Sequence, residues 1–325
     1  MWRRCIILSS SKKPDSLLVF AVSLTKLHPG AGRSPGIVDL PVIRDPLGYP
    51  FIPGTMFKGS LKTNLIKKYS SEKEKIRCLL GPEPEEPEKY TGALTISDLY
   101  PLFLPAPSTY RGLVYVTSRV LLSRAYEIAR TFGNHNALVQ ALGSLLDNSE
   151  ENKIVIIGEE GQEKTRIGAY TMEADFKNLA GDNQDNPLKS MEDILDDLYV
   201  LYHRIPLSNR IVILPEEYAV PVIESVLIRI SRVRLDRETK TVEQGGLWTE
   251  EYIPWGTIFM GAIIDNGFKH NNCKEKIGDD PTKTLLQLTS NIFTLAIGGK
   301  ETVGGGITKI LLLKGGSNEQ TTGHG

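Results

Sequence analysis

The sequence predicts an α+β fold, in a chain long enough for one elaborated domain or two ordinary ones, and three observations carry that prediction. β-rich runs stand near both ends of the 325-residue chain, segments of helical period stand between them, and no internal repeat of fixed period appears. Hydrophobic residues make up 40% and charged residues 24%, the balance of a globular chain able to bury a core.

The elements follow in order. MWRRCIILSSSKKP is basic but has too few apolar residues before its serines and lysines for a signal peptide. SLLVFAVSL reads as a first strand over 16–25. No apolar run approaches the roughly 20 residues of a membrane span, so a cytoplasmic chain with no membrane partner is expected. Residues 26–53 form a long loop crowded with glycine and proline, and loops of that length are functional or disordered. The apolar GIVDLPVI inside it argues against disorder, with Ile37, Val38, Leu40 and Val42 expected to pin the loop around one carboxylate, Asp39.

TMFKGSLKTNLIKKYSSEKEKIRCLL has a helical period that Thr55 would cap, with Lys58 and Lys62 one turn apart on one face. That helix opens directly after IPG, so its N-terminus and Lys58 would make an anion site. The alternative is a solvated helix face. GALTISDLYPLF and GLVYVTSRVLL read as strands, LLSRAYEIARTF and ALVQALGSLL as helices. Residues 145–215 are polar, with strand signals at KIVIIG and RIVIL and an acidic amphipathic stretch, PLKSMEDILDDLYVLYHRI. Strand, turn, strand, strand follow over SVLIRISRVRLDRETKTVEQGGLWTEEYIPWGTIFMGAII, where Arg232 and Arg234 share a strand face. TLLQLTSNIFTLAIGG reads as a helix ending in glycine, and KETVGGGITKILLL as a glycine loop and last strand.

Several chemistries are excluded. Cys5, Cys78 and Cys273 are odd in number, far apart and without CxxC, which suggests neither a disulfide framework nor a thiolate zinc site. The five histidines lack metal-ligand spacing, and no GxSxG or HRD pattern occurs. The phosphate-loop pattern fails at Gly299-Lys300, because Glu301 follows and Thr294 stands where glycine is required. Two readings of the glycine cluster remain, a tight turn or a backbone-lined groove for a polyanion. With 38 basic and 39 acidic residues, net charge does not point to nucleic acid, so any polyanion site must be local.

Four stretches together carry a resemblance: LHPGAG, GIVDLPVIRDPLGYPFIPGTMFKGSLK, LDRETKTVEQGGLWTEEYIP and IGGKETVGGGITKI. In that order they resemble the backbone nuclease subunits of type III-B CRISPR (Cmr) effector complexes, in the Cas7-like group of the RAMP superfamily of RNA-binding proteins. The resemblance implies an RRM-like (ferredoxin-like) palm, a catalytic loop over 26–53, an insertion over 145–215 and a thumb hairpin over 228–254. It implies CRISPR RNA, target single-stranded RNA, further copies in a helical filament and other complex subunits as partners.

By position, Asp39 matches the aspartate required for target cleavage, with His28, Glu250 and Tyr252 around it. Gly54, Thr55, Lys58 and Lys62 would meet the guide backbone, Arg232, Arg234 and Trp248 the RNA near the thumb. The loop residues Gly298, Gly299, Lys300, Thr302, Gly304, Gly305 and Gly306 would line the RNA; the family often has a basic residue where Gly305 stands. RNA brings its own nucleophile, the 2′-hydroxyl, so one carboxylate suffices if the strand is aligned. Asp39 would hold a divalent ion, Mg or Mn, or act as a base; a lone exposed carboxylate is a weak base, which favours the ion. A non-catalytic RNA-binding backbone subunit and a stand-alone nuclease that matures CRISPR transcripts are the alternatives.

Overall fold

The computed structural model describes residues 14–34, 36–83, 85–86, 90–158, 161, 164–179, 188–196, 198, 209–236, 238–268 and 270–315. The N-terminal stretch with Cys5, the histidines His203 and His324, and the acidic amphipathic stretch beyond residue 198 lie outside the described residues.

Strand β1 (Ser16–Ser23) leads through the long loop to helices α1 (Gly54–Lys68) and α2 (Lys73–Leu80), then to β2 (Leu94–Ile96), β3 (Tyr100–Ser108) and β4 (Gly112–Ser118). Helices α3 (Arg119–Phe132) and α4 (Asn136–Asp147) follow, then β5 (Ile154–Ile157), β6 (Lys164–Ile167), β7 (Tyr170–Lys177), α5 (Lys189–Asp196), β8 (Ile211–Leu214) and α6 (Glu216–Val226). The chain runs out along β9 (Ile228–Leu235) and back along β10 (Val242–Tyr252). It finishes with β11 (Ile258–Asp265), α7 (Lys274–Ile277), α8 (Pro281–Thr289), β12 (Ile292–Ala296) and β13 (Ile307–Gly315).

The fold is mixed α+β around one large sheet. Its strand order is β12-β13-β1-β11-β3-β4-β8-β5-β7-β6, with β2 also on β11. The far end curls back, since β6 meets β3 again at Ser108 and Ile167, so the six strands from β3 to β6 close into a small barrel. The near end is flatter, and β1 is buried along its whole length there because helices cover both faces. Leu17, Val19 and Ala21 pack with Phe57, Leu61 and Leu65 of α1 and Leu285 and Leu288 of α8. Leu18, Phe20 and Val22 point the other way, to Leu122 and Ala125 of α3 and Leu138 and Leu142 of α4. A third core fills the barrel, from Leu104, Val116, Ile156 and Val212 to Val222 and Ile223 of α6. No helix among the described residues is long and apolar enough to cross a membrane.

Several local expectations are corrected. The predicted single helix over TLLQLTSNIFTLAIGG is two elements. Asp280 caps α8, its Oδ1 accepting from Lys283 N at 2.8 Å, and the helix stops at Ser290, whose φ is +68°. Residues Ile292–Ala296 then pair with β13, where their backbone groups find partners. The expected strand GLVYVTSRVLL ends at Ser118, which caps α3 by accepting from Leu121 N at 3.3 Å. Helix α6 escaped notice because Pro221 lies inside it. Thr55 does not cap α1: the cap position is Pro53, and the Asp98 carboxylate accepts from Gly54 N at 2.7 Å. Cys78 and Cys273 form a disulfide, Cα atoms 5.4 Å apart, which joins α2 to the turn before α7 across 195 residues of sequence. Spacing along the chain does not reveal which helices a fold makes neighbours, so this pair was invisible beforehand.

Candidate active site

The loop between β1 and α1 is ordered by backbone pairing together with apolar anchors, Leu27, Val42 and Ile52, that join the core. It doubles back on itself, with Ala31 N donating to Pro41 O at 3.1 Å, Ser34 N to Asp39 O at 3.0 Å and Ile43 N to Pro29 O at 2.7 Å. It then runs alongside β10, where Leu40 N donates to Thr249 O at 3.0 Å and Glu251 N to Leu40 O at 3.0 Å. Val42 is buried as expected, whereas Ile37 is 98% exposed and pins nothing within this chain. Against this rail the exposed carboxylate of Asp39 is fixed, its Oδ2 accepting from Thr249 N at 2.7 Å. Its Oδ1 has no partner among the described residues.

Asp39 opens onto a cleft of about 350 Å³ lined also by Arg33, Ser34, Arg234, Leu247, Trp248 and Lys300. Three basic side chains therefore surround one carboxylate, an environment that favours a polyanion. Sequence positions near 39, 234, 248 and 300 meet here because the long loop, the β9–β10 hairpin and the glycine loop converge. No group of three His, Cys, Asp or Glu side chains able to hold a metal exists among the described residues. The donor set thus fits an ion shared with a ligand's oxygens, through Asp39 Oδ1, and not a cation caged by protein alone.

Glu250 lies behind the cleft and is 1% exposed. Its Oε1 accepts from Lys300 Nζ at 2.6 Å and Trp248 Nε1 at 2.8 Å, and its Oε2 from Arg232 Nε at 3.1 Å and the Tyr252 hydroxyl. Burial pushes its carboxyl pKa up, but these donors outweigh it and hold the group down at about 2. Tyr252 is fully buried; burial, then its bond to Glu250, raises its pKa. Lys26 Nζ stands 4.5 Å over its ring.

His28 is buried and turned toward the protein, its Nδ1 donating to Glu251 O at 2.7 Å. Its ring lies between Tyr252, centroids 5.4 Å apart, and Gly30, where a Cβ would sit 2.8 Å from Nε2. It is not among the residues that line the cleft with Asp39.

The glycine loop is a compact turn joining β12 to β13. Gly299 N donates to His28 O, Gly304 N to Glu301 O, Gly305 N to Lys300 O and Gly306 N to Lys26 O. These four N–H groups are already used within the protein, which favours the tight-turn reading of the cluster over a backbone-lined groove. Gly306 is required by close approach, since a Cβ there would fall 2.2 Å from Ile297 O, and Gly298 likewise meets His28 O. Thr302 is exposed on a short 3₁₀ turn.

At α1 the helix N-terminus is occupied by Asp98, and Gly54 is held against Ile96 O, where a Cβ would sit 2.6 Å away. Thr55 is exposed. Lys62 pairs with Glu83 at 3.2 Å, while Lys58 is half-buried, its pKa lowered by burial and by the charge of Lys62. Among the described residues Arg234 pairs only with Glu243, at 3.8 Å, and it is largely exposed.

Sequence reasoning missed a second buried carboxylate. Glu251, also 1% exposed, points to the opposite face of β10, where Arg44, Arg229 and Glu224 close a square of ion pairs of 2.6–3.1 Å with it. Its Oε2 accepts from Val42 N as well, at 3.2 Å. Two adjacent glutamates inside a strand, one of which must face inward, were the available signal.

A family model described as the RAMP superfamily matches residues 21–309. The protein described as CRISPR system Cmr endoribonuclease Cmr4 of Pyrococcus furiosus is 30% identical over 302 residues, covering 91% of this chain and 95% of that protein. A chain of the cryo-EM structure of the Type III-B Cmr-beta bound to cognate target RNA superposes with a TM-score of 0.72 at 26% identity, covering 91% of this chain and 96% of that one. The crystal structure of oligomeric Cmr4 from Pyrococcus furiosus superposes with a TM-score of 0.62 at 22% identity, covering 94% of this chain and 100% of that one.

Proposed function

The chain belongs to the RAMP superfamily and, within it, to the Cmr4 group of type III-B CRISPR proteins, and from that premise we propose that it is an RNA-guided endoribonuclease and the repeating backbone subunit of its complex. It binds CRISPR RNA, stacks on copies of itself and on other subunits in a helical filament, and cleaves paired target RNA at regular intervals, in the cytoplasm. The observation that carries this reading is Asp39, fixed by Thr249 N at 2.7 Å at the mouth of a cleft lined by Arg33, Arg234 and Lys300.

The order β13-β1-β11-β3, with α1 after β1 and α8 before β13, supports reading that sheet as an RRM-like palm, because it is the order of a βαββαβ unit with both helices on one face. The β9–β10 hairpin is then the thumb inserted before the third palm strand. The names of the relatives support the substrate: one is called an endoribonuclease, and another structure holds cognate target RNA.

Cleavage needs little from the protein. The target's 2′-oxygen forms a bond to phosphorus as the bond from phosphorus to the 5′-oxygen breaks. The 2′-hydroxyl proton passes to a water, and the departing oxygen takes one from water, leaving a 2′,3′-cyclic phosphate and a 5′-hydroxyl. Asp39 would hold a divalent ion, Mg or Mn, through Oδ1, and the ion would polarise the phosphate. Base pairing with the guide reads the sequence, so backbone and shape contacts suffice for the protein.

Asp39→Asn tests this in the assembled complex, because an amide oxygen keeps the bond from Thr249 N and so the loop. Single-turnover cleavage of complementary RNA is expected to fall at least ~100-fold with RNA binding retained. Cleavage at the usual rate would leave a non-catalytic backbone subunit as the correct reading. Cutting of a CRISPR repeat RNA by the isolated chain in EDTA would instead favour the stand-alone nuclease.

A further inference from the structure

We infer that Lys300 is the catalytic cation of the cleft, contacting the scissile phosphate as negative charge builds on it, and that Glu250 is a positioning residue acting through Lys300. The assignment rests on Asp39 as the cleavage carboxylate, and three observations carry it.

The first is fixation. Arg33 and Arg234 line the same cleft, but both are exposed and, among the described residues, Arg234 is tethered only at 3.8 Å to Glu243. Lys300 Nζ is held at 2.6 Å by a carboxylate that is itself 1% exposed. Its backbone is held as well: φ is +72°, and its carbonyl accepts from Val303 N at 3.2 Å and Gly305 N at 3.0 Å. A cation placed in advance lowers a barrier more than one that must be gathered during the reaction.

The second is charge. Glu250 carries one negative charge and is shared by two cations, Lys300 and Arg232. The cluster therefore keeps one positive charge unneutralised beside the cleft. The ammonium has three donors and spends one on Glu250, so two remain for phosphate oxygens.

The third is the state of Glu250. Buried behind four donors and held strongly ionised, it is a poor acid or base near neutral pH and does not line the cleft. Its contacts are instead those of a bracket, with Trp248 and Lys300 on one oxygen and Arg232 and Tyr252 on the other. In the cleavage step no proton passes through either residue; Lys300 offsets charge on the non-bridging oxygens while the 2′-oxygen displaces the 5′-oxygen.

The test uses the assembled complex with guide RNA. Lys300→Asn removes the cation while suiting the left-handed backbone, and Lys300→Arg returns a cation. Single-turnover cleavage at saturating complex is expected to fall about 10²- to 10³-fold in Lys300→Asn, with target-RNA Kd changed less than about 3-fold, and to recover at least tenfold in Lys300→Arg. Glu250→Gln is expected to slow the same step in the native background and to add nothing in the Lys300→Asn background. A weaker Kd with an unchanged saturating rate would make Lys300 a ground-state binding residue and overturn the proposal. Equal losses from Glu250→Gln in both backgrounds would overturn the positioning role. If Asp39→Asn cuts normally, the underlying reading fails; if Asp39→Asn is inactive while Lys300→Asn is fully active, this assignment alone fails.

Discussion

At the residue scale, the chain treats two adjacent carboxylates in opposite ways from the one at the cleft. Asp39 is exposed with an oxygen to spare, whereas Glu250 and Glu251 are buried and saturated with donors. Glu250 makes a pH prediction. Its pKa is depressed in the fold, from an ordinary 4.5 to about 2, so its stabilisation is complete above about 4.5 and is lost as pH falls through 2. The ionised group contributes on the order of 3 kcal/mol at neutral pH. Urea midpoints of Glu250→Gln and native protein should differ most near neutrality and converge as pH drops from 4.5 towards 2. A gap that stays constant with pH would mean that charge is not what Glu250 contributes. His28 is fixed by its bond from Nδ1 to Glu251 O at 2.7 Å and stands outside the lining of the cleft that Asp39 opens onto.

At the element scale, β10 organises the site. One edge pairs with β9, the other carries the long loop, and its two glutamates hold groups on opposite faces. Removing Glu251 as Glu251→Ala deprives Arg44 and Arg229 of a shared partner and leaves Val42 N unsatisfied. A cost of about 3 kcal/mol is expected, and amide exchange at 40–44 should accelerate; unchanged exchange there would show that the backbone bonds hold the loop unaided. The outer part of the hairpin is different, since Val233 and Leu247 face each other across the strands and are both exposed. Elements with a strong local signal were legible in the sequence: the apolar run of β1, the helix α1 after IPG, the hairpin strands and the last strand. α8 and β12 merged into one apolar run because a strand of five residues after a helix keeps a similar spacing. α6 was hidden by its internal proline, and the Arg44–Glu251 square by its dependence on strand register, which no local pattern reports.

For the whole molecule, the disulfide between Cys78 and Cys273 closes a chain segment of 195 residues, for which loop-closure entropy implies roughly 5 kcal/mol. Reduction, or the paired substitution of Cys78 and Cys273 by alanine, is expected to lower the unfolding temperature while the cleft residues keep their contacts, which tryptophan fluorescence and thermal denaturation would check. An unchanged melting temperature would refute this. The convergence of residues 39, 234, 248 and 300 was not legible in advance, because it depends on three loops brought to one rim by a sheet whose order is not sequential. That sheet also has unlike ends. At β6 it returns to β3 through Ser108 and Ile167, while β12 has a neighbour on one side alone among the described residues. The molecule is therefore directional as a hydrogen-bonding object: at the barrel the ladder turns back on itself, and along the outer edge of β12 its outward-facing backbone groups have no strand partner among the described residues, a terminus in space that differs from either terminus of the chain.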